Sequence, residues 1–440
     1  MLILALLQLT SLSPTYAADA QDSTAGSDSA AGSHADPHTI DLERAVAIAA
    51  RSAADVETAR MQVERAASLL RVSQQAFLPD LGLAVSGTAS VARTFSEGLT
   101  QSVTSPGVGG TARVMSTIPV YEGGALRAGV QSARQALRSS EATLERARQA
   151  LQYVLASGML DVAEAHGSVD LAEAVLTAEQ ALRARVAAYV DAGSRTRADL
   201  LQQDAAIAKA EHGLANARSQ VARAELALVQ VLRLDPAEAW TFVPPDAVPG
   251  STSTSAEAAR ADVQAAEAAV QAASADVRAA QATALPSVGV ALGASTSWLS
   301  TESASVPSQL RDQAQTWATV ELDVPIFDRG LARNAVANAH ISERAARLDL
   351  ALRQEAAATD HAAARISDEA ARAAVAAAAR HRDAAVAASA VIEQRYEAGA
   401  ASLSELSAAH AEAAAAEQDV LTASIAVRRT AFEWAWAIGE

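Results

Sequence analysis

Ala76–Gly87 reads AFLPDLGLAVSG, and Ala282–Ser295 reads ATALPSVGVALGAS. In both, a leucine-proline pair ends an alanine-rich stretch and opens a run in which apolar residues alternate with small ones. Proline cannot continue a helix, and it biases the residue before it toward extended backbone. Each stretch therefore marks a passage from helix to strand. Leu78-Pro79 and Leu285-Pro286 stand 207 positions apart. Other landmarks keep that interval to within one residue. Ala54-Asp55-Val56 matches Ala261-Asp262-Val263, and Ile118-Pro119-Val120-Tyr121 matches Val324-Pro325-Ile326-Phe327. Gly193 matches Gly399, Asp199 matches Glu405, and Leu200 matches Leu406. Shared order and spacing identify an internal duplication, with a period too long for a solenoid.

The two halves show the same succession. A leading helix occupies about 42–76 and 254–283. Strand pairs follow at 79–92 with 112–121 and at 286–299 with 315–327. Very long helices run over 125–191 and 331–397. A break comes at Gly193 or Gly399, and a returning helix spans 196–232 or 402–437. The repeats are bounded at 40–234 and 254–440. The Pro-, Ser- and Thr-rich segment 235–253 reads as a linker. Leu137, Leu144 and Leu151 recur every seven residues, the mark of a coiled-coil seam. A helix of about 67 residues is roughly 100 Å long and needs partners along its whole length.

Composition agrees with an elongated helical body. Of 440 residues 50% are hydrophobic, yet only 3% are aromatic, because alanine dominates. Alanine favours helix but buries little area, which suits close helix-helix seams better than one large core. There is no cysteine, which excludes disulfides, thiolate metal sites, a cysteine nucleophile and lipid attachment through an N-terminal Cys. A net charge of −16 argues against non-specific nucleic-acid binding, and the positive charge is almost all arginine, with Lys209 the only lysine, which reads as coding bias. The N-terminus has an apolar run from Leu2 to Leu9, interrupted at Gln8. It is followed by the cleavage contexts Thr15-Tyr16-Ala17 and Ala18-Asp19-Ala20, although no Lys or Arg precedes the run. It resembles a signal peptide at 1–18, followed by a polar flexible leader at 19–39. No later stretch reaches the roughly 20 apolar residues of a membrane-spanning helix. Entry into a membrane then falls to strands.

The strands alternate. Leu81, Leu83, Val85, Ala89 and Val91 oppose Gly82, Ala84, Ser86, Thr88 and Ser90. Val288, Val290, Leu292 and Trp298 oppose Gly289, Ala291, Gly293, Ser295 and Ser297. Val320, Leu322, Val324 and Ile326 oppose Thr319, Glu321 and Asp323. One apolar and one small or polar face over roughly 9–13 residues fits a transmembrane β-strand, with Trp298 and Trp317 expected at the edges of the apolar band. By alternation alone, a sheet packed on a soluble core is the favoured reading; the export signal and the missing soluble core reverse that preference. Four strands cannot close a barrel. Two chains supply eight strands and three supply twelve.

These features together resemble the TolC-like outer-membrane efflux proteins, from about Ile40 to the C-terminus. The carriers are the duplication, the leucine-proline strand starts, Val120-Tyr121-Glu122-Gly123-Gly124, Ile326-Phe327-Asp328-Arg329-Gly330, and Arg395-Tyr396-Glu397-Ala398-Gly399 before Glu405-Leu406. The resemblance implies a mainly α fold with membrane β. In it a homotrimeric 12-stranded outer-membrane β-barrel continues into a 12-helix periplasmic α-barrel of coiled-coil hairpins. It also implies a passive exit duct of a tripartite efflux pump or type I secretion system. The duct would be embedded in outer-membrane lipid and opened at its periplasmic tip by an adaptor and an inner-membrane transporter. No cofactor is implied. The rival reading is a periplasmic adaptor or coiled-coil scaffold, which would need a lipoyl-like module that this chain lacks.

In that family the two helix-to-helix breaks form the tip. The candidate gate residues are Arg195, Asp199, Tyr396 and Glu405, with tip turns at Gly193 and Gly399. Three copies of Glu405 would make a carboxylate ring. Thr196-x-x-Asp199 and Ser402-x-x-Glu405 are also capping boxes that start the returning helices. Where well-known members carry Arg and Asp, this chain has Ala401 and Ala408; Arg195 is the candidate substitute. Pro79 and Pro286 lead into strands, and Pro119 and Pro325 lead out. Gly107-Val108-Gly109-Gly110 lacks the Lys-Ser/Thr of a phosphate loop and reads as an extracellular loop. The eight histidines form no metal motif, no nucleophile-base arrangement is present, and Glu321 with Asp323 fits a lumen-facing pair.

Overall fold

The computed structural model describes residues 38–95, 102–245, 260–300 and 305–439. The expected signal peptide and all but the end of the leader lie outside the described residues. The compact unit begins at Ile40. It contains α1 (Leu42–Ser52), α2 (Ala54–Gln75), β1 (Gly82–Phe95), β2 (Ser102–Glu122), α3 (Ala125–Asp191) and α4 (Arg197–Leu232). The second half follows with α5 (Ala261–Ala282), β3 (Ser287–Leu299), α6 (Val306–Asp312), β4 (Gln315–Asp323), α7 (Leu331–Glu397) and α8 (Leu403–Ile438). The duplication reappears in lengths: α2 and α5 have 22 residues, α3 and α7 have 67, and α4 and α8 have 36.

Helix starts explain themselves locally. Gly124 and Gly330 precede α3 and α7 with φ of 93° and 84°, the left-handed backbone that glycine adopts without strain. Asp328 accepts from the backbone N–H groups of Gly330 (2.8 Å) and Ala332 (2.6 Å). Those donors hold its carboxyl below the usual range. The leading helix is broken: extended backbone at Ala53 (ψ 125°) separates α1 from α2.

Small residues let the long helices lie close together. α3 packs against α2, α4, α5 and α8, while α7 packs against α5 and α8. Ile40, Leu155, Met159, Leu228, Leu232 and Phe242 fill one core. Phe242 lies in the segment read as a linker; there the Val243 N–H donates to the Ile40 carbonyl (2.9 Å) and ties that segment down. Arg260 joins α5 to α7. Its side chain is only 6% exposed and bonds Asp262 (2.8 Å) and Asp360 (2.7 Å).

The four long strands form one antiparallel sheet in the order β1-β2-β3-β4. Paired residues share a face. Leu83, Val85, Val114, Ile118, Val290, Leu292, Trp298, Val320 and Leu322 therefore lie on one side, and Ser86, Thr111, Arg113, Thr117, Ser295, Trp317, Thr319, Glu321 and Asp323 on the other. The apolar side is bare: Leu83, Val85 and Val320 are 71%, 74% and 73% exposed.

The sheet departs from the sequence expectation at two places. Trp317 does not sit in the apolar band. Strand parity puts it on the small and polar face, across Gly293, where a Cβ would stand 2.2 Å from its ring. Gly107–Gly110 is not a loop but part of β2: all four residues pair with β1, and Gly109 and Gly110 pair with β3 as well. Glycine is tolerated there because the Trp298 indole covers Gly110, where a Cβ would stand 2.6 Å from Nε1. Within β2 the register shifts between Pro119 and Tyr121. Proline has no N–H for the ladder, so it sits at this irregularity. Pro79 and Pro286 precede their strands and Pro325 follows β4.

Candidate functional site at the helical turns

The long helices reverse at two turns built alike. α3 ends in a left-handed Gly193 (φ 74°), with Gly193 N–H on the Val190 carbonyl and Ser194 N–H on the Tyr189 carbonyl, both 2.9 Å. Gly399 (φ 76°) does the same for α7, with its N–H on the Tyr396 carbonyl (3.0 Å). Each returning helix opens with a reciprocal capping box. Thr196 N–H donates to Asp199 Oδ2 (2.9 Å), and Asp199 N–H donates to Thr196 Oγ1 (3.3 Å). Ser402 N–H donates to Glu405 Oε2 (2.7 Å), and Glu405 N–H donates to Ser402 Oγ (3.3 Å). The Ser402 backbone and hydroxyl donors lower the Glu405 pKa, since they favour the ionised form.

The two turns are fastened to each other. Arg195 donates from Nη2 to the Tyr396 carbonyl (2.9 Å), and its guanidinium carbon lies 4.3 Å from the Tyr396 ring centroid. Tyr189 meets the same ring edge-on, with centroids 6.4 Å apart. Tyr396 is 2% exposed and packs among Leu182, Val186, Leu403 and Leu406. Its hydroxyl is buried with no hydrogen-bond partner among the described residues. Burial pushes the phenol pKa up. Arg185 of α3 adds a second fastening, to Glu393 (2.7 Å) and Glu397 (3.5 Å) of α7.

The structure thus brings Arg195 and Tyr396 together, whereas Asp199 and Glu405 hydrogen-bond only inside their own turns. Arg185, Tyr189, Glu393 and Glu397 are not among the gate residues expected from the sequence. The available signal was the repeat period itself. Residues about 206 positions apart lie at one height in the two hairpins, and Arg185 and Glu393 are separated by 208.

Among the described residues, no group of His, Asp and Glu is placed to hold a metal, and no helix is long and apolar enough to cross a membrane. No curated protein sequence matches the chain. It superposes on crystal structures of CusC (TM-score 0.80, 20% identity, covering 90% of this chain and 92% of that one). It also superposes on the outer membrane protein VceC from Vibrio cholerae (0.80, 18%, 90% and 96%). A third match is the Campylobacter jejuni CmeC outer membrane channel (0.77, 16%, 90% and 85%). At these identities the likeness is one of fold. The family model described as outer membrane efflux protein matches residues 46–232 and again 252–437. With both repeats matched, over well more than half its length, the chain belongs to the outer membrane efflux protein family, whose members are channels rather than enzymes.

Proposed function

We propose that the chain is one third of a passive exit duct through the outer membrane. The observation that carries this reading is the four-stranded sheet: one face is apolar and bare, and β1 and β4 are its outermost strands. Open edges are not tolerated in lipid, so closure needs further copies. Three copies supply twelve strands, enough for a hydrated lumen lined by the small and polar face. Their long helices would continue the lumen across the periplasm as a twelve-helix barrel. Residues 1–18 direct export, and the repeats at 40–234 and 254–440 each supply two strands and one hairpin.

In this reading the fastened turns are the periplasmic gate. Arg195 and Tyr396 hold the two hairpins of a chain together. Asp199 and Glu405 start the returning helices and also present charge to the constriction. Each capping box uses a single carboxylate oxygen, Asp199 Oδ2 and Glu405 Oε2, which leaves the other oxygen available to the lumen. A threefold ring of carboxylates favours cations. A periplasmic adaptor and an inner-membrane transporter would part the turns and drive export. The test is reconstitution of the detergent-purified protein in planar bilayers. Discrete conductance steps with cation preference, reduced by Glu405→Gln, support the duct and its ring. Absence of conductance both in the wild type and in Arg195→Ala, whose turns are freed, refutes the duct.

A further inference from the structure

The small and polar face of the sheet carries one cation among its described side chains, Arg113. Arg113 makes no ion pair or hydrogen bond with any described residue, and its guanidinium lies 5.8 Å from the Trp317 ring centroid. The indole in turn lies over Gly293, so close that a Cβ there would meet Cζ2 at 2.2 Å. The register fixes where this pair sits. Asp323 leads toward α7, so Gln315 marks the end of β4 remote from the long helices, next to the short α6. Trp317 shares a row with Gly293 and Met115; Arg113 lies one row farther out, beside Ser295 and Gln315. Glu321 is six residues inward of the Arg113 row, roughly 20 Å along the strands. That exceeds the Debye length of about 8 Å at physiological salt, so Glu321 does not compensate the guanidinium, and Asp312 at the end of α6, three residues before Gln315, makes no ion pair with it.

A free guanidinium beside a flat indole is chemistry for a planar anion. The planar fork of N–H donors binds a carboxylate, sulfonate or phosphate in two parallel hydrogen bonds, and the indole face stacks an aromatic body. We propose that Arg113 and Trp317 form a station for planar anionic solutes near the outer end of the lumen. It would be repeated once per chain and opposite in sign to the acidic positions near the helices. The proposal rests on the reading of this face as the lumen.

The test records single-channel currents in planar bilayers with naphthalene-2-sulfonate added on the outer side, for the wild type, Arg113→Gln and Trp317→Leu. The station predicts transient block of the wild type at a concentration about fivefold below that needed for either variant. It also predicts little block by the cation 1-naphthylmethylammonium. Equal block in all three channels, or equal block by anion and cation, overturns the station while leaving the duct intact. Failure of every preparation to conduct, with Arg195→Ala present in each to free the turns, overturns the duct, and with it the station, because Arg113 then faces no lumen.

Discussion

Replacing Arg195 by Ala removes two interactions between the turns. The first is a hydrogen bond from a charged donor to the Tyr396 carbonyl at 2.9 Å; such bonds contribute about 1.5 kcal/mol or more. The second is the guanidinium stacked 4.3 Å from the Tyr396 centroid, which adds about 0.5–1 kcal/mol at a half-exposed position. Together they favour joined turns by about 2 kcal/mol per chain, a factor of about 30 in the equilibrium between joined and parted turns. Arg195→Ala therefore raises the open fraction of bilayer-reconstituted channels by at least an order of magnitude at fixed voltage. Arg195→Lys falls between, because an ammonium keeps a charge but loses the planar stack. Tyr396→Phe is the control. The Tyr396 hydroxyl has no partner, so its loss leaves the channel as closed as before and relieves a buried polar group. The reasoning fails if Arg195→Ala leaves the open fraction unchanged, or if Tyr396→Phe opens the channel as far as Arg195→Ala does.

Three further outcomes follow from the packing. Arg260→Ala strips the partner from Asp262 and Asp360 and lowers stability by about 2–3 kcal/mol in denaturant titration, with little rescue by Lys because both oxygens of Asp262 are engaged. Gly293→Val drives a side chain into the Trp317 ring and costs about 1–3 kcal/mol by thermal melting; combining it with Trp317→Ala recovers most of the loss. The Glu405 cap is sensitive to acid. Its folded pKa is depressed, so its stabilisation is present above the unfolded value of about 4.3 and is lost as pH falls through the folded value. The difference in melting temperature between the wild type and Glu405→Gln should shrink steadily on acidification below that point.

Local signals in the sequence were strong where one helix or strand accounts for its own pattern. Leu137, Leu144 and Leu151 lie inside α3, where a seven-residue seam needs no distant information. Thr196 with Asp199 and Ser402 with Glu405 carry the capping boxes in their own spacing. The misreadings depend on distant partners. Four residues rich in glycine suggest a loop until Trp298, far along the chain, is known to cover Gly110. Trp317 looked like a band residue because it is aromatic; its odd position in β4, shared with Glu321, was the better signal. The break at Ala53 has no proline or glycine, only Asp55 and Glu57 in the next first turn. α6 carries its own start signal, Pro307 two residues after Ser305, but seven residues between two strands are too few to show a helical period. At the site, the capping role was legible, while the Arg195–Tyr396 fastening joins residues 201 positions apart. Only the repeat period hinted that they meet.

The central claim is that three chains close one barrel in the outer membrane. The most direct test is the native mass, corrected for bound detergent, of the protein extracted from separated outer membranes. The account predicts three times the chain mass, recovered in that fraction alone. A monomer in the soluble periplasmic fraction would contradict it, since the bare face of β1–β4 would then have no lipid to cover it.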